Sequence, residues 1–336
     1  MDILNAIVAF LNFVVVPATA YGAQLALGAL GATLVYGILR FSNFAQGDTM
    51  AFGTMVTIIF TWWLQSMGVH FGPLPTALLA LPFGIAVTAM LLLLTDRFVY
   101  RFYRKQKAAP TILVIVSLGV MFVMNGITRL IIGVEEQNFA DGERFVMTAG
   151  EFKQWTGLNE GLAIKSTQAI TLVTAVIVVA WLFWFLQKTR TGKSMRAFSD
   201  NEDLALLSGI NPNRVVNVTW IIVAALATIA GVLYGLDKSF KPFTYFQLLL
   251  PIFAAAVVGG LGNPIGAIAG GFVVAFSEVF VTYAWKKVVG YLVPEAWAPD
   301  SLIQLLSTDY KLAVSFIILI IVLLFMPTGL FKGKSG

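Results

Sequence analysis

Residues 167–187, TQAITLVTAVIVVAWLFWFLQ, run for 21 positions without a charged side chain. A helix needs about 20 apolar residues to cross the ~30 Å hydrocarbon core of a bilayer. No water is available there to satisfy backbone amides, so the run specifies a membrane-spanning helix. Comparable stretches occupy 18–39, 49–67, 76–94, 111–132, 215–236 and 311–326. Charged residues make up 12% of the 336, about half the share of a soluble domain, and mean hydropathy is +0.85. The expected fold is an all-α polytopic membrane protein of about eight spans, some broken or re-entrant, in one transmembrane domain over 1–336. A β-barrel would show short alternating segments instead.

Charge gives the orientation. The segment 96–107, DRFVYRFYRKQK, carries five bases against one acid, and the polar island 189–215 is also basic at its start. By the positive-inside rule 95–109 and 188–214 are cytoplasmic. The loop 133–166, with six acids against three bases, is then on the outer side. The chain alternates correctly through the intervening spans. The net charge of +5 therefore reflects bases beside spans, with the aromatic–basic 96–107 an interfacial helix end facing anionic headgroups and not a nucleic-acid site. Residues 3–16 read as a short helix, either outside the membrane or at its interface, separated by Pro17 from the first span. Asp2 and the lack of a basic leader predict that this segment is retained.

Several chemistries are excluded. There is no cysteine, and His70 is the single histidine. Disulfides, thiolate metal sites and a thiol nucleophile are ruled out, and a histidine metal cluster or triad has no residues to build it. Thr191-Gly192-Lys193-Ser194 lacks the upstream glycine of a phosphate-binding loop. No metal site, no catalytic centre and no enzymatic activity are expected of this chain.

Three polar interruptions remain. The island reads as a capped helix over 199–208: Ser199 as N-cap, Glu202 three residues on, Asp200 and Asp203 in the first turn. Ala205, Leu206 and Leu207 give an apolar side, Gly209 a C-terminal stop, and Pro212 forbids continuation. A capped helix with an apolar flank between two spans is a docking element or simply an ordered loop. The first knot, Asn43 to Asp48, places Asn43, Gln46 and Asp48 after a span. It is either a helix start, with Asn43 as cap and Asp48 offsetting the dipole, or a break lining a path. The second knot follows 248–258, a stretch too short to cross. Gly259 to Gly266 then breaks any helix around Asn263, and 267–284 resumes. The pair 248–284 reads as segments folding in from outside, with the Gly-Asn-Pro turn buried at membrane depth. Residues 285–309 are placed outside, with Trp285, Tyr291 and Trp297 at the interface, although Lys286 and Lys287 count against it. Lys332 and Lys334 are placed inside.

Two ionisable or amide groups lie within spans. Glu278 pairs with Lys286 or Arg129, or serves the path or a subunit contact; Asn125 is a weaker case of the same kind. Gly31–Gly37 (GATLVYG) also echoes Ala230–Gly235 (AGVLYG), which is compatible with an inverted repeat around a path.

Four separated motifs carry a family resemblance. R-T-G-K-S-M-R-A-F-S-D-N-E-D-L-A-L-L-S-G-I-N (190–211) resembles the cytoplasmic loop of the LivH-like permeases of branched-chain amino-acid ABC importers. V-Y-G-I-L-R-F-S-N-F-A-Q-G-D (35–48), V-V-G-G-L-G-N-P-I-G-A-I-A-G-G (257–271) and L-F-M-P-T-G-L-F (324–331) resemble three further motifs, in the family order. Where the family usually has N-F-A-H-G-E, this chain has Gln46 and Asp48, which loses the imidazole and any proton-linked role resting on it.

The resemblance implies a permease in the bacterial inner membrane, working with a sister subunit or second copy, two ATP-binding subunits and a periplasmic binding protein. The chain itself binds no cofactor; ATP and magnesium belong to the partners. Ser199, Asp200, Glu202, Asp203, Ala205, Leu206, Leu207 and Gly209 would couple to the ATPase. Asn43, Gln46, Asp48, Asn125, Asn263 and Glu278 are the candidates for the path of a branched-chain or other hydrophobic amino acid. Urea or short amides are the alternative cargo. A stand-alone channel or secondary carrier and a non-transporting scaffold are the rival classes.

Overall fold

The computed structural model describes residues 2–293, 303–326 and 328–331. Helix α1 (Asp2–Phe10) passes through a π-turn (Leu11–Val15) directly into α2 (Val16–Leu39). Pro17 does not separate two helices. It lies in the first turn of α2, and the π-turn absorbs the amide it lacks. Then follow α3 (Gln46–Ser66) and α4 (Ala77–Thr95), which runs through a π-segment (Asp96–Tyr100) into α5 (Arg101–Lys105). Helix α6 (Pro110–Ile132) leads to the long loop, with β1 (Phe145–Met147), α7 (Ala149–Thr156) and β2 (Ile164–Lys165). The strands pair antiparallel. Helix α8 (Ser166–Lys188) enters the island, where α9 (Arg190–Asp200) and α10 (Glu202–Leu207) precede α11 (Pro212–Lys238). The chain ends with α12 (Pro242–Gly259), α13 (Pro264–Thr282), α14 (Lys286–Leu292) and α15 (Lys311–Phe325).

Among the described residues, seven helices are long and apolar enough to span a bilayer. Helix α3 has the length, at 21 residues, but its threonines and polar first turn dilute its hydropathy. Helix α15 has the hydropathy but only 15 residues.

Helices α2 and α11 form the antiparallel centre. Helix α2 packs on the α12–α13 hairpin, and α11 packs on the α3–α4 hairpin, so each central helix rests on the hairpin of the other half. This reciprocity is that of an inverted repeat, and the echoing stretches 31–37 and 230–235 lie on the two central helices. The first turns of the helices that follow repeat one device. The Gln46 amide reaches the Gly28 carbonyl at 3.4 Å, and the Tyr245 hydroxyl donates to the Gly231 carbonyl at 2.7 Å. Each needs a notch. A Cβ on Gly31 would lie 2.5 Å from the Gln46 amide nitrogen, and one on Gly235 would lie 2.7 Å from the Tyr245 hydroxyl.

Two sequence readings change place. Helix α12 begins at Pro242, not 248, because the polar residues of 242–247 are helical too; its 18 residues give about 27 Å of rise, enough to span. The Gly-Asn-Pro turn is therefore not buried at depth. It lies at the island end, partly exposed, where Asn263 caps α13 and bonds the Phe331 carbonyl at 2.9 Å. The buried break is the first knot. Gln46 contacts Gly28, eleven residues before the end of α2, so α3 starts roughly 16 Å inside the bundle. Asn43, Gln46 and Asp48 are all buried.

The opposite end is tied by the long loop. Asn5 accepts from the Glu160 backbone amide, and Glu160 pairs with Lys287 at 2.8 Å and accepts from Tyr291 at 2.7 Å. Residues 2–15 thus project past this end of the bundle and pack on α14, along with Trp285 and Tyr291. Lys287 is accounted for by Glu160. Trp297, Lys332 and Lys334 lie outside the described residues.

Asp141 clamps the α3–α4 turn. It accepts from the Thr76 amide at 2.7 Å, the Thr76 hydroxyl at 2.6 Å and Gln65 at 2.9 Å. Partial burial pushes its carboxyl up, but these bonds outweigh that and hold it below the ordinary carboxylate value. A depressed folded-state value means the clamp is complete above the ordinary range near pH 4 and is lost as pH falls through the lower, folded value. Asp141→Ala should lower thermal stability in detergent by about 1–2 kcal/mol at neutral pH. That difference should vanish in acid; a difference independent of pH would refute the clamp.

Candidate coupling and translocation site

The island is two helices where one was expected. Thr189 caps α9, its hydroxyl accepting from the Gly192 amide at 3.0 Å. The turn onto α8 is tight, since a Cβ at Gly192 would meet the Phe185 carbonyl. Met195 and Phe198, three residues apart, are the buried face of α9. The cap of α10 is Asn201, not Ser199: its side chain accepts from the Leu204 amide at 3.0 Å, and Glu202 and Asp203 form the acidic first turn. Asn and Ser are comparable caps, so propensity could not choose between them. The packing of Phe198 keeps Ser199 inside α9. Gly209, at φ +79°, ends α10 as expected, its amide bonding the Leu206 carbonyl at 3.0 Å.

The apolar flank divides. Ala205 is 3% exposed and faces the bundle, whereas Leu204 and Leu207 are 60% and 85% exposed and Leu206 is partly so. Leu204, absent from the sequence reading, joins the outward face because 204 and 207 lie one turn apart.

Ser199 has another task. Its hydroxyl donates to the Gly37 carbonyl at 2.9 Å, and the Arg40 guanidinium donates to the Ser199 carbonyl at 2.7 Å. Arg40 reaches it from a left-handed backbone, φ +59°, that terminates α2. The island is thus fastened to the helix end from which the re-entrant knot departs. A cavity of about 370 Å³ lies beside this junction, with Ser199, Asp200 and Asn263 among its lining residues. Two expected coupling residues and one expected path residue therefore share a space.

The first knot is built around Asn43. Its side-chain oxygen accepts from the Ala45 amide and from the Tyr100 hydroxyl, both at 3.2 Å. Asn43 turns the chain but does not cap α3; the residue at the cap position is Ala45, which supplies no side-chain bond. Ser117 of α6 accepts from the Phe44 amide at 3.1 Å. Tyr100 stacks on Trp220, whose ring N–H donates to Asp96 at 2.7 Å, and Arg104 grips the same carboxylate at 2.5 and 2.9 Å. No pattern in the sequence pairs Asn43 with Tyr100 or Trp220; the link needs α2, α4 and α11 in place.

Above the knot, Asp48 accepts from Asn125 at 2.6 Å, which brings together two residues predicted separately. Arg129 stands one turn beyond Asn125, close enough to act electrostatically on Asp48. One Asp48 oxygen, the Arg129 Nε and the Thr128 hydroxyl are buried without hydrogen-bond partners. Charges of both signs with free bonding capacity suit a zwitterion.

Glu278 belongs to a different cluster. Its partners are neither Lys286 nor Arg129 but Lys311, at 3.3 Å, and the Ser315 hydroxyl, both on α15. The Lys311 ammonium also sits 3.7 Å from the centroid of Tyr21. The sequence reading placed α15 correctly but had no means of docking it on α13. Of the expected path residues, then, Asn43, Gln46, Asp48 and Asn125 gather at the first knot, Asn263 lies at the island end, and Glu278 joins α13 to α15.

Comparison with known proteins adds a second line of observation. A family model described as the permease component of the branched-chain amino acid transport system matches residues 15–323. The high-affinity branched-chain amino acid permease LivH of Escherichia coli K12 is 30% identical over 92% of this chain and 91% of its own. BraD of Pseudomonas aeruginosa is 29% identical over 92% of both, and a probable LivH of Methanocaldococcus jannaschii is 29% identical over 92% and 89%. No solved structure matches.

Proposed function

Because the chain belongs to the permease family of the branched-chain amino-acid ABC transport system, we propose that it passes a branched-chain amino acid between the two ends of this bundle under force from separate ATPase subunits. As a family member it is a multi-pass inner-membrane permease subunit, and ATP hydrolysis falls to its partners. The island end, with its bases, is cytoplasmic in this reading, and the long-loop end faces a periplasmic binding protein. A related permease or a second copy completes the path.

The single observation that carries the reading is the fastening of the island to α2. An ATPase subunit grips the outward Leu204 and Leu207. Its movement is passed by α10 and α9 through Ser199 to Gly37 and Arg40, and from there to the knot holding Asn43, Gln46 and Asp48. Glu202 and Asp203 cap the gripped helix electrostatically. The permease states must differ in their contacts with the ATPase, or nucleotide binding could not bias them. Asp48 and Arg129 supply opposite charges for the ammonium and carboxylate of an amino acid; Asn125 orients the former.

Reconstitution tests this directly. Proteoliposomes holding the permease with its ATPase subunits and binding protein should accumulate leucine only with ATP inside the equivalent of the cytoplasm. The permease alone should support no flux. Equal leucine flux through the chain by itself would establish a carrier or channel and overturn the reading.

A further inference from the structure

Phe98 and Phe102 are 73% and 56% exposed and stand four residues apart, on one face of the helix formed where α4 continues into α5. Between this helix and α11 runs a groove of about 510 Å³. Its walls are apolar toward the membrane interior, with Met90, Leu94 and Ile221, and polar toward the island end, with Arg97, Arg101, Asn213, Asn217 and Asp96, whose carboxylate is paired with Arg104. Arg101 and Asn213 also line a second cavity of about 680 Å³, which holds Arg40, Arg104, Lys105 and Lys107.

The charges of this region are unevenly satisfied. Arg104 is spent on Asp96, and Arg40 donates to the Ser199 carbonyl. Among the described residues, Arg97, Arg101, Lys105 and Lys107 form no ion pair. Arg97, Lys105 and Lys107 are exposed, yet with the half-buried Arg101 they border two neighbouring cavities that share Arg101 and Asn213. The first grades from apolar to cationic over the depth of a membrane leaflet. That gradient has the form of an amphiphile with a negative head.

We propose that the groove holds an anionic glycerophospholipid of the leaflet at the island end. An acyl chain lies along Met90, Leu94 and Ile221, the phosphate meets Arg101 and Asn213, and the rest of the headgroup enters the larger cavity. In the larger cavity five bases (Arg40, Arg101, Arg104, Lys105 and Lys107) stand against the two acids Glu202 and Asp203, and this excess of positive charge favours an anionic headgroup over a zwitterionic one. Glu202, Asp203 and Leu206 of α10 form the far wall of that cavity, so the headgroup sets the spacing between α5 and the coupling helix. Anionic lipid therefore strengthens coupling. This last consequence rests on the proposed function; the binding itself does not.

Native mass spectrometry of the assembled transporter, exchanged into phosphatidylglycerol or phosphatidylcholine, tests the site. Phosphatidylglycerol should be retained with a preference of roughly tenfold or more, given the weight of each juxtamembrane base. Arg101→Glu with Lys105→Glu should abolish retention. Met90→Trp, which fills the groove without altering charge, should abolish it too. Equal retention of the two lipids overturns the proposal. So does loss in the charge variant alone with displacement by inorganic phosphate, which marks a free-anion site. Retention by the isolated permease but not by the assembled transporter also overturns it, because the basic face then belongs to an ATPase subunit. Should the charge variant fail to fold, the lipid preference of the unaltered protein and the Met90→Trp result decide. All of these readouts are masses, independent of transport, so they stand whether or not leucine is the cargo.

Discussion

Replacing Leu204 and Leu207 with glutamate is expected to lower ATP-driven uptake by about 100-fold while leaving the permease inserted. The two side chains are the outward ridge of α10, 60% and 85% exposed among the described residues. Fully burying a leucine side chain is worth about 2 kcal/mol, and two together correspond to a factor of roughly 1,000 in affinity before non-additivity is allowed for. The loss should appear first as failure of the ATPase subunits to co-purify. Gly209→Pro should give a similar phenotype by another route. The backbone there is at φ +79°, which proline's ring forbids, and the amide bonding Leu206 would vanish. Ala205→Glu is not an equivalent probe. Ala205 is packed against the bundle, so a charge there disturbs folding before it touches a partner. Normal uptake by the Leu204/Leu207 variant, at normal membrane levels, would remove the coupling role of α10.

The second large effect is expected at Lys311→Met. Glu278 is fully buried, and Lys311 is its only cationic partner among the described residues. Removing the cation leaves a buried carboxylate uncompensated; because the Lys311 side chain is 35% exposed, the cost falls at or below the lower end of the roughly 3–5 kcal/mol of a fully buried pair. Melting of the detergent-solubilised protein should fall accordingly. Adding Glu278→Gln to Lys311→Met should restore most of the loss, because the pair is then removed as a unit. This separates a structural pair from a transport residue. If the double variant is stable and still transports, Glu278 only docks α15 on α13. If it is stable and inactive, Glu278 serves the path as well.

These two sites differ in how far they could be read from the chain. Leu207 and Gly209 stand in a short polar stretch with local rules: an acidic first turn, an apolar flank, a glycine stop. Such rules act over one or two turns, so the helix was legible with only its start displaced, from Ser199 to Asn201. Glu278 and Lys311 are 33 residues apart, and no local rule links them. The same holds for Asn43 and Tyr100, and for Asp48 and Asn125, whose partners come from separate helices.

The second knot shows a different failure. A segment begun at 248, after the Thr244, Tyr245 and Gln247 of the preceding stretch, is too short to cross, and its glycine turn then falls at depth. Helix α12 takes in 242–247 as well, and with Phe243 and Phe246 the whole helix is apolar enough to span. Depth then passes from the Asn263 turn to the first knot, where Gln46 finds the Gly31 notch.

By itself, the sequence determined most of the spans and the polar stretches between them, but not that α12 and α13 are each long enough to cross. The reason is that a bilayer penalises each charge and each unpaired amide locally, residue by residue. What only the tertiary structure decided is which interruption lies deep, which leucines face outward and which charges meet. Those depend on how α2 and α11 seat against the opposite hairpins, and packing of that kind is a property of surfaces brought together, not of any one segment.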